Sequence, residues 1–286
     1  MSDQTVPTFS DSPRPAVEAS RAMVATSQPL AVQTGIDVLK SGGTAIDAAI
    51  AVNAMLGLVE PMSCGVGGDV FAIVWEEAGQ RLYGLNGSGR SPGSLSRQTI
   101  LDQGHQTIPS RGPISWSVPG CVDGWFALHE RFGRTPMREL LQPTIEAAIS
   151  GFSVTPVIAR MWQAAAERLA QDPGAAAVFL PNGRAPESGD VFRNPQLAEV
   201  LVHLAKDGND AFYRGSIAEQ LVAFSNEVGG FFSSADFTDH ASTWVDPVSV
   251  PYRDCDVWQL PPNTQGLATL QMLKILEPFD IAAMDH

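Results

Sequence analysis

The sequence predicts an α/β (α+β) protein built as one interlocked unit, and three observations carry that reading. Two segments near the start repeat apolar residues at helical spacing. A short apolar run and its return then read as a β-hairpin. From about 120 to 230 helical patterns dominate, and extended segments resume after them. No internal repeat interrupts this order.

In chain order, Leu30 to Lys40 places Leu30, Val32, Ile36, Val38 and Leu39 at helical spacing, and Ser41-Gly42-Gly43 closes it. A second helix opens at Thr44, whose hydroxyl caps free N–H groups while Asp47 stands three residues on as a variant capping box. It runs through Glu60 and stops before Pro61. Apolar on nearly every side, it belongs in the core. After the Gly-rich turn 63–68, Phe71 to Trp75 reads as a strand, 76–80 as a turn and Arg81 to Asn86 as the returning strand. Helices are predicted over 120–132, 137–150, 157–170, 196–206 and 210–228. Residues 243–250 and 255–260 read as extended, and the turn-rich 260–266 leads into a helix over 267–276.

Composition narrows the function. With 44% apolar and 17% charged residues the chain is an ordinary folded globular protein. A formal charge of −13 argues against nucleic acid or an anionic membrane as partner, because both need clustered Lys and Arg. Cys64, Cys121 and Cys255 form no C-x-x-C pair and the histidines no H-x-x-x-H, so neither a structural zinc site nor a redox pair is readable; free, buried thiols are expected. No cofactor or metal is called for. Residues 1–20 are expected to form a disordered tail before a domain over 21–286, and the Ser-, Thr-, Asp- and Pro-rich start carries no signal-peptide pattern. No run reaches the ~18 apolar residues of a bilayer span. A soluble, cytoplasmic protein is the expectation.

Several motifs invite a chemical reading and have a plainer one. Gly65-Val66-Gly67-Gly68-Asp69 lies between a helix and a strand, the reverse of a dinucleotide fingerprint, so its glycines serve backbone geometry. Ser88 in Asn86-Gly87-Ser88-Gly89-Arg90-Ser91-Pro92 lacks the G-x-S-x-G order and an assignable histidine, which excludes a Ser-His-Asp hydrolase. Arg90 is either a solvated charge or surface ion-pair partner, or a planar fork for a substrate carboxylate. Asp236 and Asp239, beside Ser233 and Ser234, read as capping residues rather than an acid–base pair. Trp116, Trp125, Trp162 and Trp244 lack regular spacing and read as core or boundary residues.

The ordered set of stretches 23–31, 35–49, 59–61, 63–71, 118–125, 142–148, 212–218 and 260–266 resembles the gamma-glutamyltransferase (gamma-glutamyltranspeptidase) family over about 23–286. The resemblance implies the αββα sandwich of N-terminal-nucleophile hydrolases, this chain being an incomplete large-subunit portion with a helical excursion over about 120–230. It implies a precursor that cuts itself, and a small subunit of the same precursor as partner. The new N-terminal Thr of that subunit attacks a γ-glutamyl amide such as glutathione, its own α-amine acting as base. Backbone N–H groups hold the oxyanion, and water or an amine takes the acyl group. No Thr-His step occurs in this sequence, so the nucleophile is expected beyond His286 and the chain alone is expected to be inactive. The resemblance also implies an Arg, in an R-E-x-A-P-like stretch, that pairs with the substrate α-carboxylate. Aligned on Pro92, Ser88 stands there and Arg90 follows two residues later, ~6–7 Å along the chain. Asn263-Thr264-Gln265-Gly266 departs from the family's Ser-Ser-Gly-Gly form. Arg90 is therefore the candidate substrate-binding residue of a divergent, acyltransferase-like member. Two alternatives stand beside it: an acylase of non-glutamyl amides similar to cephalosporin acylases, and a catalytically incomplete α/β binding or assembly module.

Overall fold

The chain packs around its second helix. In a computed structural model describing residues 16–284, α1 (Pro29–Lys40) and α2 (Ala45–Val59) form an antiparallel pair, and α2 buries ten of its fifteen residues. The expected capping box is present: the Thr44 hydroxyl accepts from the Asp47 amide at 3.1 Å, and the Asp47 carboxylate accepts from the Thr44 amide at 2.8 Å. Asp47 does more than cap. Fully buried, it also accepts from the Arg134 amide at 3.0 Å and the Thr135 amide at 3.2 Å. One carboxylate thus ties the start of α2 to a loop 87 residues away in sequence.

Strands β1 (Val70–Glu76) and β2 (Arg81–Gly87) form the predicted hairpin, in register from Val70↔Gly87 to Glu76↔Arg81. A short helix, α3 (Arg97–Asp102), follows, then a single 3₁₀ turn over Pro113–Ser115. Next come α4 (Cys121–Phe132) and α5 (Met137–Ser150), then β3 (Phe152–Ser153), α6 (Pro156–Leu169) and α7 (Pro173–Phe179). The chain continues through β4 (Val191–Phe192), α8 (Pro195–Asp207), α9 (Asn209–Tyr213), α10 (Ser216–Glu227) and α11 (Ser234–Thr238). It closes with β5 (Thr243–Val245), β6 (Val248–Tyr252), β7 (Cys255–Gln259) and α12 (Gly266–Leu276). The main sheet has the order β1-β2-β5, all antiparallel; β3 pairs with β4 and β6 with β7.

The α/β class holds, with helices in the majority. Three expectations are corrected. The helix over 210–228 is two, parted at Arg214-Gly215, which turns the buried Tyr213 back toward the start of α4. The extended run 243–250 is split at Asp246-Pro247 between two sheets, because Pro247 has no N–H to extend a ladder. The thiols are free, but only Cys121 is buried; Cys64 is half-buried and Cys255 exposed. The short elements α3, α7, β3 and β4 were not anticipated. Residues 1–15 of the expected tail lie outside the described residues, as do 285–286, while 16–20 are exposed and carry no helix or strand. No helix among the described residues is long and apolar enough to cross a membrane.

Helix α4 covers one face of the main sheet, burying Leu85 of β2 and Val74 of β1. Arg131 of α4 clasps that face, its guanidinium 3.9 Å from the Tyr83 ring centre and 4.6 Å from that of Trp244. The helical half has its own aromatic cluster, where Trp162 meets Phe192 edge-on at 4.8 Å and donates its indole N–H to the Phe179 carbonyl. The opposite face of the sheet is bare along β1. Phe71, Ile73 and Trp75, alternate residues of one edge strand, are 39%, 41% and 50% exposed. Farther across, Leu260 lies against Gly84.

Two outcomes follow from these features. Asp47→Ala leaves three backbone donors unpartnered in the interior and should cost about 3 kcal/mol or more in urea denaturation. Burial favours the protonated form of Asp47, but the amides of Thr44, Arg134 and Thr135 and the Thr44 hydroxyl together outweigh it and hold the carboxyl below its ordinary range. Its contribution is therefore complete above the ordinary carboxylate pKa and is lost as pH falls through the lowered value. Asp47→Ala should flatten that acid limb. The bare stripe on an unpaired edge strand should make the purified chain self-associate in sedimentation velocity, and the pair Ile73→Lys, Trp75→Glu should suppress it. A clean wild-type monomer at high concentration would contradict this.

Candidate active site

Four sequence stretches meet where β1 begins and β2 ends. The turn after α2 leads through Gly65-Val66-Gly67-Gly68 to Asp69, at the foot of β1. Asp69 accepts from the Gly89 amide at 2.9 Å and from the Ser88 hydroxyl at 3.4 Å. The Gly68 carbonyl accepts two hydrogen bonds from the first residues of the α4 stretch, from the Gly120 amide at 2.9 Å and the Cys121 amide at 2.8 Å. The Arg90 carbonyl accepts from the Val118 amide at 3.0 Å. From the far end of the chain, the Asn263 side-chain oxygen accepts from the Asn86 side-chain amide at 2.7 Å, while Asn86 Oδ1 accepts from the Ser88 amide at 3.1 Å.

This meeting is a crossing of bare backbones. A Cβ on Gly89 would lie 1.6 Å from the Val118 carbonyl oxygen, and one on Gly120 would lie 2.2 Å from that of Gly87. Only glycine lets two chains approach so closely. Close packing of main chain thus falls at Gly89 and Gly120, whereas Gly65, Gly67 and Gly68, where the sequence placed that role, have room for a Cβ and no positive φ.

A second ring of polar groups steadies the crossing from beneath. Asp123, in the first turn of α4, accepts from the Ser242 amide at 2.6 Å and the Asn209 side-chain amide at 2.9 Å. The buried Tyr213 hydroxyl receives the Asp123 amide at 3.1 Å and donates to the Pro119 carbonyl at 2.6 Å. Burial pushes its pKa up, so it stays protonated as that donor. His240 stacks on Tyr213 with ring centres 5.2 Å apart. Its burial lowers its pKa, and the nearby charge of Arg90 lowers it further, against the pull of Asp123 and Asp69. Below the turn, Cys64, Cys121, Asn53 and Asp69 line a cavity of about 360 Å³. Burial, with Cys64 and Asp69 nearby, pushes the Cys121 thiol up to about 12; burial and then Glu60 raise Cys64. Neither thiol is a thiolate at neutral pH, so neither competes as a nucleophile.

Arg90 sits at the rim of the crossing. Its backbone is held, while its side chain is exposed and makes no hydrogen bond or ion pair among the described residues. Ser88 is turned onto Asp69, away from any histidine partner. Asp236 caps α11 together with Ser233 and also accepts from the Gly93 amide at 2.7 Å; Asp239 ends that helix. Among the described residues no cluster of three or more His, Cys, Asp or Glu side chains is arranged to hold a metal. Sequence reading did not single out Asp69, Asn86, Asp123, Tyr213 or His240. Asp69 carried the one available signal, an acidic residue ending a glycine turn just before a strand.

The close approach makes a sharp prediction. Gly89→Ala should destabilise by about 2–3 kcal/mol in denaturation, because the carbonyl it meets belongs to backbone and cannot step aside. It should also speed hydrogen exchange at the Gly120 and Cys121 amides. Unchanged exchange there would show that the crossing tolerates a side chain.

Comparison with known proteins agrees with this geometry. The gamma-glutamyltranspeptidase family model matches residues 31–286. The glutathione hydrolase-like YwrD proenzyme of Bacillus subtilis (strain 168) is 37% identical over 271 residues, covering 94% of this chain and 51% of that protein. The crystal structure of cephalosporin acylase from Bacillus halodurans superposes with a TM-score of 0.86 at 39% identity, over 98% of this chain and 54% of that one. Gamma-glutamyltranspeptidase from Helicobacter pylori superposes at 0.88 with 27% identity, over 95% and 79%. The chain spans about half the length of the curated relatives it matches. The α/β fold is the one these N-terminal-nucleophile hydrolases share, and with nearly every described element inside the matched region, the chain belongs to the gamma-glutamyltranspeptidase family.

Proposed function

We propose that this chain forms the nucleophile-free part of an amide hydrolase or acyl transferase made as a self-cleaving precursor. The nucleophile comes from the portion of the relatives that these residues do not match. The supporting observation is the crossing at Gly68, Gly89 and Gly120, which, with the Asn86–Asn263 hydrogen bond beside it, gathers distant stretches at one rim and leaves Arg90 exposed there. In the reaction a freed N-terminal Thr attacks the amide carbonyl and its α-amine takes the hydroxyl proton. Backbone N–H groups hold the oxyanion. The amine departs with the proton, and water or an acceptor amine releases the acyl group from the ester. No Thr-His step lies within these residues, so the Thr belongs to a small-subunit partner.

Arg90 takes the carboxylate of the acyl donor, a γ-glutamyl amide such as glutathione or another carboxylated acyl amide. The second of these is favoured by Ser88. It stands where the family pattern calls for Arg, and its hydroxyl and its neighbour's amide are already committed to Asp69. A divergent loop of this kind fits an acylase of non-glutamyl amides, and one relative of known structure carries the name cephalosporin acylase.

The test uses the complete precursor and this chain separately, with γ-glutamyl- and glutaryl-p-nitroanilide as substrates. The complete protein should cleave at least one, and the chain alone neither. Arg90→Ala should raise KM about tenfold or more, the loss of a charge-assisted hydrogen bond. An unchanged KM and kcat would remove Arg90 from the site. Amide cleavage by the chain alone would overturn the proposal.

A further inference from the structure

The segment between Arg90 and Ser117 departs from the rest of the chain in charge. The protein as a whole carries −13, yet this stretch holds Arg90, Arg97 and Arg111 against Asp102 alone, with His105 besides. None of the three arginine side chains forms an ion pair or hydrogen bond among the described residues, and Asp102 accepts from Gln98. The segment folds around α3 into a cavity of about 470 Å³. Its apolar wall is made by Leu95, Ile100, Leu101, Ile108, Ile114 and Trp116; Leu101 and Ile108 are exposed. Arg97 and His105 line it as well, and no carboxylate does. Trp116 is braced from behind by Phe224 and Phe232, each stacked with ring centres 6.0 Å away. The wall is therefore a supported surface and not a loose flap. Ser91, the residue after Arg90, stands at the edge.

We infer that this α3 cavity is a binding site for a small organic anion with an apolar body, an aryl- or alkylcarboxylate, adjacent to the rim that carries Arg90. The volume lies in the range of small-molecule sites, and apolar walls with a few placed polar groups are their usual construction. Burying the ligand's hydrocarbon against Ile108 and Trp116 supplies the hydrophobic part of the affinity. The planar fork of Arg97 supplies two parallel hydrogen bonds to the carboxylate, with no carboxylate in the wall to repel it. The site makes no use of the missing nucleophile, so it can be examined in this chain alone and does not depend on the proposed activity.

The experiment is calorimetric titration of the purified chain with phenylacetate, phenylacetamide and phenethylamine. Phenylacetate should bind saturably. The amide, the amine and the variant Arg97→Gln should each weaken binding by about tenfold, the effect of losing a hydrogen bond to a charged group. Ile108→Asp should abolish it, and added salt should weaken it. Arg97 and Ile108 are both exposed, so unchanged thermal unfolding is expected for both variants and would separate lost binding from lost fold. Absence of saturable binding, equal binding of acid and amide, or indifference to Arg97→Gln would each overturn the inference. Amide cleavage by the complete precursor bears only on the proposed activity.

Discussion

The site depends on a carbonyl shared between two amides. Gly68 accepts from both Gly120 and Cys121, which fixes the first turn of α4 against the foot of β1. Asp69, the next residue, then reaches the Gly89 amide. The geometry leaves no slack, because the strand end and the loop before α4 are closer than side chains allow. Everything else at the rim is arranged around that closeness. Asp123 and Tyr213 hold the α4 side from below, and Asn263 steadies the strand side from above. Arg90 keeps a free side chain because its backbone, not its guanidinium, is what the crossing uses.

Much of the scaffold was legible in the sequence. The periodicity of 30–40, the capping box at Thr44 and the hairpin over 71–86 are local, and local rules described them well. What lay outside those rules was tertiary. The Thr44–Asp47 pair looked like an ordinary cap, yet its carboxylate also serves Arg134 and Thr135, partners with no sequence signal. Residues 210–228 have a continuous helical pattern, but the chain breaks it so that Tyr213 reaches Pro119, a long-range hydrogen bond overriding local preference. At the site the backbone role read for Gly65, Gly67 and Gly68 falls instead to Gly89 and Gly120, and the aspartates beside them were not read at all. Asp69 and Asp123 become informative only once Gly89, Ser242 and Asn209 are brought to them. Arg90 was visible as a lone cation; its neighbour His240 was not, since 150 residues separate them.

Protonation reinforces the same arrangement. The groups near the crossing are biased toward their uncharged forms: Tyr213 and Cys121 by burial, His240 by burial and by Arg90. Asp69 and Asp123 spend their oxygens on amides and a hydroxyl. Arg90 is left as the positive group presented at the rim, and a ligand carboxylate meets no competing thiolate there.

The alternating stripe of Phe71, Ile73 and Trp75 also bears on how the polypeptide is made. The β1–β2 hairpin is complete early in translation, while β5, which flanks β2, emerges more than 150 residues later. From that early point on, the nascent chain displays two aromatic rings and an isoleucine on a strand that β5 never pairs, the kind of surface that holdase chaperones grip. Yield in cells should therefore follow chaperone supply more closely than the stability of the finished fold.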